Sequence, residues 1–293
     1  MKEKKKGKKI ILFFVFLTIL IVGLLLYSRY IGTSGLKIKE YKITNNNFVD
    51  NYYGLKIVHI SDIHYGRITF DKELEKLAKK INLTKPDIVV FTGDLIDQDT
   101  KLTNEQADKM SSILSKIDAD IGKYAINGNH DYYFENWDLI IENSGFINLN
   151  NKYELIYKDP TKYILLAGMS TNSYGKESIS DKLKDVTEYL KDIEEDNKPI
   201  YSILLMHEPD YIDDINLNNF NLVLSGHSHN GQVRIPFIGA IKNSLPSGSR
   251  KYYDEYYRVK NTDLYISSGI GTSTVNFRLF NRPSFNLYRM TNK

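Results

Sequence analysis

The sequence predicts an α/β or α+β domain with more than one layer of sheet, preceded by one membrane-spanning helix. Residues 10–27 form an uncharged apolar run near the N-terminus. Strand and helix patterns alternate in the first half of the remaining chain, and strand patterns dominate the second half, which is typical of layered α/β folds. Buried strands repeatedly end in Asp, Asn or His, and in open α/β sheets ligands bind outside these carboxyl ends.

The apolar run near the N-terminus predicts a membrane anchor. Residues 10–27 read IILFFVFLTILIVGLLLY, and at about 1.5 Å per residue they would extend roughly 27 Å, close to the hydrocarbon thickness of a bilayer. A core helix would have a polar face, and a signal peptide would have a shorter apolar stretch before small residues. The sequence IGTSG that follows keeps cleavage as the alternative. We predict a basic cytoplasmic tail (1–9), a transmembrane anchor (10–28), a linker with an edge strand (29–50) and one domain (51–293).

Charge is distributed unevenly along the chain. Residues 1–9 carry six Lys and one Glu, whereas the whole chain has a net charge of +3, which leaves the remainder slightly acidic. This remainder has no electrostatic basis for nucleic-acid binding. Lysine-rich flanks stay in the cytoplasm, so we expect a single-pass protein of the cell membrane with an extracytoplasmic domain. The chain has no cysteine, which excludes disulfides and thiolate metal sites.

The first half of the body reads as alternating strands and helices. LKIKEYKIT (36–44) predicts an edge strand, and GLKIVHISDIH (54–64) predicts a buried strand that ends in polar residues. Residues 70–82 predict an amphipathic helix, because apolar side chains recur at helical spacing at Leu74, Leu77, Ala78 and Ile81. PDIVVFTGD (86–94) predicts the next buried strand, which again ends in a carboxylate.

The rest of the body is richer in strands. Thr103 and Gln106 predict a capping box at the start of a second helix. KYAINGNHD (123–131) predicts a strand, and NWDLIIENSG predicts a short helix that ends at Gly145. Further strand candidates are YILLAGMS, PIYSILLMHEP, FNLVLSGHSH, QVRIP, DLYISSG and SFNLYRM.

Nine polar side chains follow these strands and form the candidate site. They are Asp62, His64, Asp94, Asn129, His130, Asp131, His207, His227 and His229. Each one alone has an ordinary explanation as a helix cap, a turn residue or a hydrogen-bonded core histidine. Together they include five of the six histidines of the chain, so we interpret them as one site. The sixth histidine, His59, lies in mid-strand, and we assign it a structural role.

The donor types indicate two metal ions. Imidazole, carboxylate and amide donors without sulfur suit Mn²⁺, Fe²⁺ or Zn²⁺. The donors exceed the four that a structural zinc takes, and they fit two ions that share one ligand. Two dications held by two carboxylates leave a positive site that favours an anionic substrate, and phosphate fits best. A metal pair about 3.5–4 Å apart serves in-line phosphoryl displacement.

The motifs D-I-H, G-D, G-N-H-D, H and G-H-S-H occur in this order between Asp62 and His229. They resemble the calcineurin-like metallophosphoesterase superfamily. GHSHNGQVRIP, SSGIGTS and the anchor resemble its membrane-associated bacterial branch, which includes phosphodiesterases and hydrolases of nucleotide-linked lipids. That branch commonly has Gly-Gly after the last histidine, whereas this chain has Asn230-Gly231. Asn is the non-glycine residue that best tolerates positive φ, so we expect the turn to be kept.

The resemblance implies a four-layer α/β/β/α sandwich and a residue-by-residue site assignment. Asp62, His64 and His229 would hold one ion, Asn129, His207 and His227 the other, and Asp94 would bridge them. The ions would activate a hydroxide for in-line attack on phosphorus. His130 would donate to a phosphate oxygen or protonate the leaving oxygen, and Asp131 would orient His130.

We therefore expect a metal-dependent phosphoesterase that acts on a phosphodiester or pyrophosphate, lipid-linked or part of the cell envelope, with Mn²⁺ as the preferred ion. The alternatives are a non-catalytic metal-binding scaffold and a membrane sensor whose metals are only structural. The aromatic segment SRKYYDEYYR (249–258) has two interpretations, as a substrate contact or as an exposed β-hairpin.

Overall fold

The structure, a computed structural model, describes residues 2–173 and 177–292. Its helices are α1 (Lys2–Leu26), α2 (Asp71–Asn82), α3 (Asn104–Leu114), α4 (Trp137–Asn143), α5 (Ile179–Lys182) and α6 (Lys184–Asp192). Its strands are β1 (Lys37–Thr44), β2 (Lys56–Ile60), β3 (Ile88–Thr92), β4 (Gly122–Ile126), β5 (Ile147–Asn148), β6 (Lys152–Tyr157), β7 (Tyr163–Met169), β8 (Tyr201–Met206), β9 (Leu222–Ser225), β10 (Arg234–Ile235), β11 (Gly239–Ala240), β12 (Tyr256–Val259), β13 (Thr262–Ile266) and β14 (Ser284–Thr291).

The strands form two six-stranded sheets and one short hairpin. The first sheet has the order β1-β14-β2-β3-β4-β5, and the second has the order β12-β13-β9-β8-β7-β6. Strands β2 to β5 run parallel to one another, as do β13, β9, β8 and β7. Because parallel strands bring their carboxyl ends to one edge, the polar residues that follow β2, β3, β4, β8 and β9 can meet there.

Successive side chains along the strands point to opposite faces of each sheet and pack into three hydrophobic cores. On β2, Val58 packs with α2, α3 and α4 on the outer face, whereas Ile57 packs between the sheets. Leu204 on β8 packs outward with Val186 of α6. The central strands β2, β3, β7, β8 and β9 thus bury both faces, which explains why their sequences are mostly apolar. The order of layers is helix, sheet, sheet, helix, so the predicted four-layer α/β/β/α sandwich is confirmed.

Most predicted elements are present. Helix α2 buries its apolar side chains, and the Thr103–Gln106 capping box forms reciprocal hydrogen bonds at the start of α3. Gly145 follows α4 with φ of 74°, a conformation that favours glycine. Helices α5 and α6 and strands β5, β6 and β11 had no counterpart among the predicted elements. They are short, and α6 is rich in charged residues, so their periodicity is weak.

Helix α1 is long and apolar enough to cross a membrane, and a π-helical turn, Tyr27–Ile31, extends it. This turn packs against the sandwich, because the Arg278 backbone N–H donates to the carbonyl of the buried Ser28 at 3.0 Å. Strand β1 lies at the sheet edge, as predicted, and pairs along its whole length with β14. The sandwich therefore includes β1, which lies within the predicted segment 29–50, and the predicted domain bounds stay a prediction.

Candidate metal centre

Seven of the predicted side chains converge at the carboxyl ends of the parallel strands. Two follow β2, one follows β3, one follows β4, one follows β8 and two follow β9. We call them the strand-end cluster: Asp62, His64, Asp94, Asn129, His207, His227 and His229. All seven are buried. Both sheets contribute, so the site exists only when the two sheets pack face to face.

One half of the cluster lies where the loop after β2 contacts the loop after β9. The Nε2 atoms of His64 and His229 lie 3.0 Å apart, and His229 Nε2 lies 3.5 Å from Asp62 Oδ1. The His227 backbone N–H donates to Asp62 Oδ1 at 2.9 Å, which ties the two loops together. Two imidazole nitrogens that face each other beside a carboxylate are suited to hold one cation between them.

The other half lies around Asp94. Asp94 Oδ2 is 3.3 Å from His207 Nε2 and 3.5 Å from His64 Nε2, so this oxygen faces both halves of the cluster. The Asn129 side-chain oxygen lies 3.2 Å from His207 Nε2. Three groups of ligand atoms within 4.8 Å of one another result: Asp62, His64 and His229; His64, Asp94 and His130; and Asp94, His207 and His227.

The donors fit divalent cations. Asp62 Oδ2 is buried and has no hydrogen-bond partner, so it is free to bind an ion. His207 Nδ1 contacts the Thr92 carbonyl at 2.6 Å, and His227 Nε2 contacts the Ser247 carbonyl at 2.7 Å. Each ring therefore carries its proton on the nitrogen that donates to the backbone, and the other nitrogen keeps a lone pair for a metal, the arrangement usual for metal-binding histidines.

The charges of the cluster compensate one another. Burial opposes ionisation of Asp94, but the neighbouring imidazoles of His207, His130 and His64 hold its pKa well below the ordinary value. Burial alone would lower the pKa of His207, yet the Asp94 carboxylate raises it well above the ordinary value. Burial raises the pKa of Asp62. The carboxylates thus require positive charge close by, and bound cations supply it more directly than protonated imidazoles.

The loops that carry the cluster approach each other too closely for larger side chains. A Cβ on Gly128 would lie 2.3 Å from Asp94 Oδ1, and a Cβ on Gly226 would lie 2.5 Å from Asp62 Oδ2. Asp62, His64, Asp94, His227 and His229 all have positive φ. Such backbone is costly for non-glycine residues and concentrates at functional sites, where packing holds it in place.

The structure corrects the expected contact between Asp131 and His130. The two carboxylate oxygens of Asp131 accept the backbone N–H groups of Asp94, Leu95 and Gly128 at 2.7–2.8 Å. Asp131 therefore joins the loop after β4 to the loop after β3 and does not orient the His130 ring, because its lone pairs face backbone amides. A catalytic part for either residue stays a prediction.

Asp97 lies beside the His130 ring, which Asp131 was expected to orient, and beside the His64 ring, and sequence reasoning missed it. Its Oδ2 lies 3.4 Å from His64 Nδ1, 3.7 Å from His130 Nδ1 and 2.9 Å from Arg67 Nε. The side chain is buried. The available signal was its position in GDLID, where a second carboxylate follows Asp94 by three residues.

Arg278 was also missed. It is fully buried, and its Nη2 lies 3.2 Å from His229 Nδ1. Its remaining N–H groups donate to backbone carbonyls, including that of Gly271. Burial lowers the pKa of Arg278 to about 9. No local pattern around FRLF distinguishes this arginine from a surface one.

Other predictions concern the surroundings of the site. His59 is buried between the sheets and hydrogen-bonds Thr92 and Tyr288, which agrees with its structural assignment. Asn230 has φ of 49°, so the expected turn with positive φ is confirmed. Residues 256–258 of the aromatic segment lie in β12, which pairs antiparallel with β13 and forms the hairpin of the second interpretation. A substrate contact by this segment stays a prediction.

Comparison with known proteins supports the same chemistry. Residues 55–231, which include the whole strand-end cluster, match the family model of calcineurin-like phosphoesterases. The uncharacterized metallophosphoesterase YkuE of Bacillus subtilis is 29% identical over 90% of this chain and 88% of its own length. The uncharacterized metallophosphoesterase Cj0846 of Campylobacter jejuni is 32% identical, over 96% and 71%. UDP-2,3-diacylglucosamine pyrophosphatase LpxG of Chlamydia muridarum is 27% identical, over 81% and 84%.

Proposed function

Because the chain belongs to the calcineurin-like phosphoesterase family, we propose that it hydrolyses phosphodiester or pyrophosphate bonds at the outer face of a membrane. The observation that carries the proposal is the convergence of the seven donors of the strand-end cluster, with Asp94 facing both halves of it. A single structural ion takes about four ligands, which is fewer than the cluster offers. Two catalytic ions that share one ligand match the number of donors.

The cluster divides into two sets of ligands. Asp62, His64 and His229 would hold one ion, Asn129, His207 and His227 would hold the other, and Asp94 would contribute to both. Mn²⁺ suits this mixture of imidazole, carboxylate and amide donors. When bound, the two ions supply Lewis acidity and lower the pKa of a coordinated water.

His130 supplies a proton donor toward the substrate. Its Nδ1 accepts the Gln98 backbone N–H at 3.1 Å, so the neutral ring carries its proton on Nε2. The ring packs edge-on against His64, with ring centroids 4.6 Å apart, which places it beside the cluster. The Nε2–H can hydrogen-bond a phosphate oxygen that gains charge in the transition state, or pass its proton to the leaving oxygen.

A lipid-linked or cell-envelope phosphate is the proposed substrate class. The relative LpxG carries the name of a pyrophosphatase whose substrate bears two acyl chains. Helix α1 supports the same class, because an anchored enzyme meets lipid-borne substrates at the membrane surface. Six lysines precede the apolar segment, and by the positive-inside rule they stay in the cytoplasm, which directs the sandwich to the outer face.

A substrate panel tests the reaction. The full chain in detergent micelles with Mn²⁺ is assayed on phosphomonoesters, phosphodiesters and pyrophosphates, and we expect turnover of one of the latter two classes. His229→Ala serves as the matched control and should abolish turnover. Binding of Mn²⁺ without hydrolysis of any ester would contradict the proposal and indicate a metal-binding scaffold.

A fusion experiment tests the location. A reporter that is active only in the cytoplasm should be silent when fused after residue 60, and active when fused before the apolar segment. Activity at the first position would reverse the proposed orientation and leave the chemistry untouched.

A further inference from the structure

The opening of the metal centre is bordered by exposed apolar side chains. A cavity of about 220 Å³ lies beside His227 and His229, and Val233, Leu245 and Val275 line it. The β10–β11 hairpin leaves this border, and Gly231 at its base packs against Ala240. We call the exposed apolar residues of this region the apolar rim: Ile235, Phe237, Ile238, Ile241, Val275 and Phe280.

The tip of the hairpin exposes large apolar side chains, which is unfavourable for a domain in water. Phe237 is fully exposed and has φ of 67°, a region that favours Gly and Asn. Its neighbour Ile238 keeps 75% of its surface exposed. Hairpin tips normally carry small or polar residues that tolerate this backbone. Packing within the sandwich does not explain why Phe237 and Ile238 occupy the tip. Contact with an apolar surface outside the protein does explain it.

The apolar rim is continuous with the end of the membrane helix. Val233 forms a β-bridge with Leu279, and the Arg234 backbone N–H donates to the Leu279 carbonyl at 3.0 Å. The next residue, Phe280, contacts the ring of Tyr27, the first residue of the π-helical turn that extends α1, with ring centroids 6.4 Å apart. Tyr30 in the same turn is exposed, as aromatic residues at a membrane–water interface often are.

From this continuity we infer that the apolar rim docks into the surface of the bilayer that α1 crosses. Apolar side chains that enter the headgroup region bind a bilayer in proportion to the area they bury, and basic residues add attraction to anionic lipids. Arg29 and Lys242 lie in the segments that flank the rim and suit such headgroups. The metal centre then opens toward the lipid surface, where a lipid-borne phosphate ester can reach it. This last consequence rests on the proposed function.

Site-specific labelling of the full chain tests the docking. The chain has no cysteine, so Phe237→Cys accepts a single polarity-sensitive fluorophore. Leu83→Cys is the matched control, because Leu83 is 82% exposed and follows α2 at the opposite end of β2, where Lys56 contacts the Thr84 carbonyl. Both proteins are reconstituted in vesicles of phosphatidylcholine and phosphatidylglycerol that contain a lipid-borne quencher.

We expect the label at 237 to emit at shorter wavelength and to be quenched several-fold more strongly by the lipid-borne quencher than the label at 83. Equal quenching of both labels by water-soluble iodide, with no effect of the lipid-borne quencher at 237, would overturn the docking. The labels report depth without any turnover, so this result is independent of the proposed reaction.

Activity gives a second readout. The double variant Phe237→Ser/Ile238→Ser should lose several-fold in hydrolysis of a phosphate ester embedded in vesicles and keep its rate on a water-soluble p-nitrophenyl ester. An equal loss on both esters would overturn the docking role. Failure of the unaltered protein to hydrolyse either ester would contradict the proposed function, while the label depths would still decide the docking.

Discussion

Two fully buried histidines, His59 and His207, both contact Thr92 and have opposite electrostatic surroundings. His59 Nε2 contacts the Thr92 hydroxyl at 2.8 Å between the two sheets, whereas His207 Nδ1 contacts the Thr92 carbonyl at 2.6 Å at the sheet edge. Burial lowers the pKa of His59 to about 3. His207 is equally buried, but the Asp94 carboxylate raises its pKa well above the ordinary value. Burial alone therefore does not mark a functional histidine, and the carboxylates beside it do.

The comparison predicts that substitutions in the strand-end cluster lower activity, whereas substitution of His59 changes stability. Asp94→Ala should give the largest effect, because this carboxylate faces both halves of the cluster. We expect both ions to be lost and turnover to fall to the uncatalysed rate, measured by elemental analysis after Mn²⁺ loading and by a diester assay. Asp99→Ala, at a 73% exposed carboxylate, is the control. One tightly retained ion in Asp94→Ala would contradict the shared role.

His130→Ala should give the next largest effect. It removes a proton donor and leaves the proposed ligands in place, so both ions should remain while the rate falls about 10²–10⁴-fold. Leaving groups of different basicity separate the two proposed uses of Nε2–H. A loss that shrinks with p-nitrophenolate indicates protonation of the leaving oxygen, and a uniform loss indicates a hydrogen bond to another phosphate oxygen. Loss of metal would make His130 a ligand, as its proximity to His64 and Asp94 allows.

Asp97→Asn should have a smaller effect. The substitution keeps the shape and removes the charge beside His64 Nδ1, which orients a proposed ligand. Loss of such a partner typically costs about 10–100-fold in metal affinity or activity. The Mn²⁺ dissociation constant and the rate should change together, since Asp97 acts through the ligand. Asp99→Asn should leave both unchanged. A lower rate at unchanged Mn²⁺ affinity would instead indicate that Asp97 acts through His130.

His59→Gln should leave the rate nearly unchanged and alter the pH dependence of stability. The folded protein keeps His59 neutral down to about pH 3, whereas an unfolded chain protonates this residue near pH 6.5. His59 therefore destabilises the fold as the pH falls from 6.5 toward 3, by at most about 1.4 kcal/mol per pH unit. The free energy of unfolding, followed by fluorescence of the single, buried Trp137, should lose this slope in the variant. Equal slopes in both proteins would contradict the neutral assignment.

The sequence by itself determined the candidate donor residues, the strands that they follow and the apolar helix near the N-terminus. These features are local. An apolar run that ends in Asp or His, such as IVHISDIH, predicts both a buried strand and the polar side chain at its carboxyl end. The capping box at Thr103 and the turn at Asn230 were predictable for the same reason, since each depends on backbone within a few residues.

Only the tertiary structure decided which partners surround those ligands. The side chain of Asp131 binds the backbone of a loop 36–37 residues earlier, and Arg278 reaches His229 across 49 residues. Strand β14, at the C-terminal end, inserts between β1 and β2, and the end of α1 packs against the segment that precedes it. Contacts of this kind depend on how two sheets pack, and packing energy is spread over the whole interface between the sheets. No short stretch of sequence encodes the packing of the two sheets. The partner of His130 and the position of the apolar rim beside α1 therefore could not be predicted from the sequence.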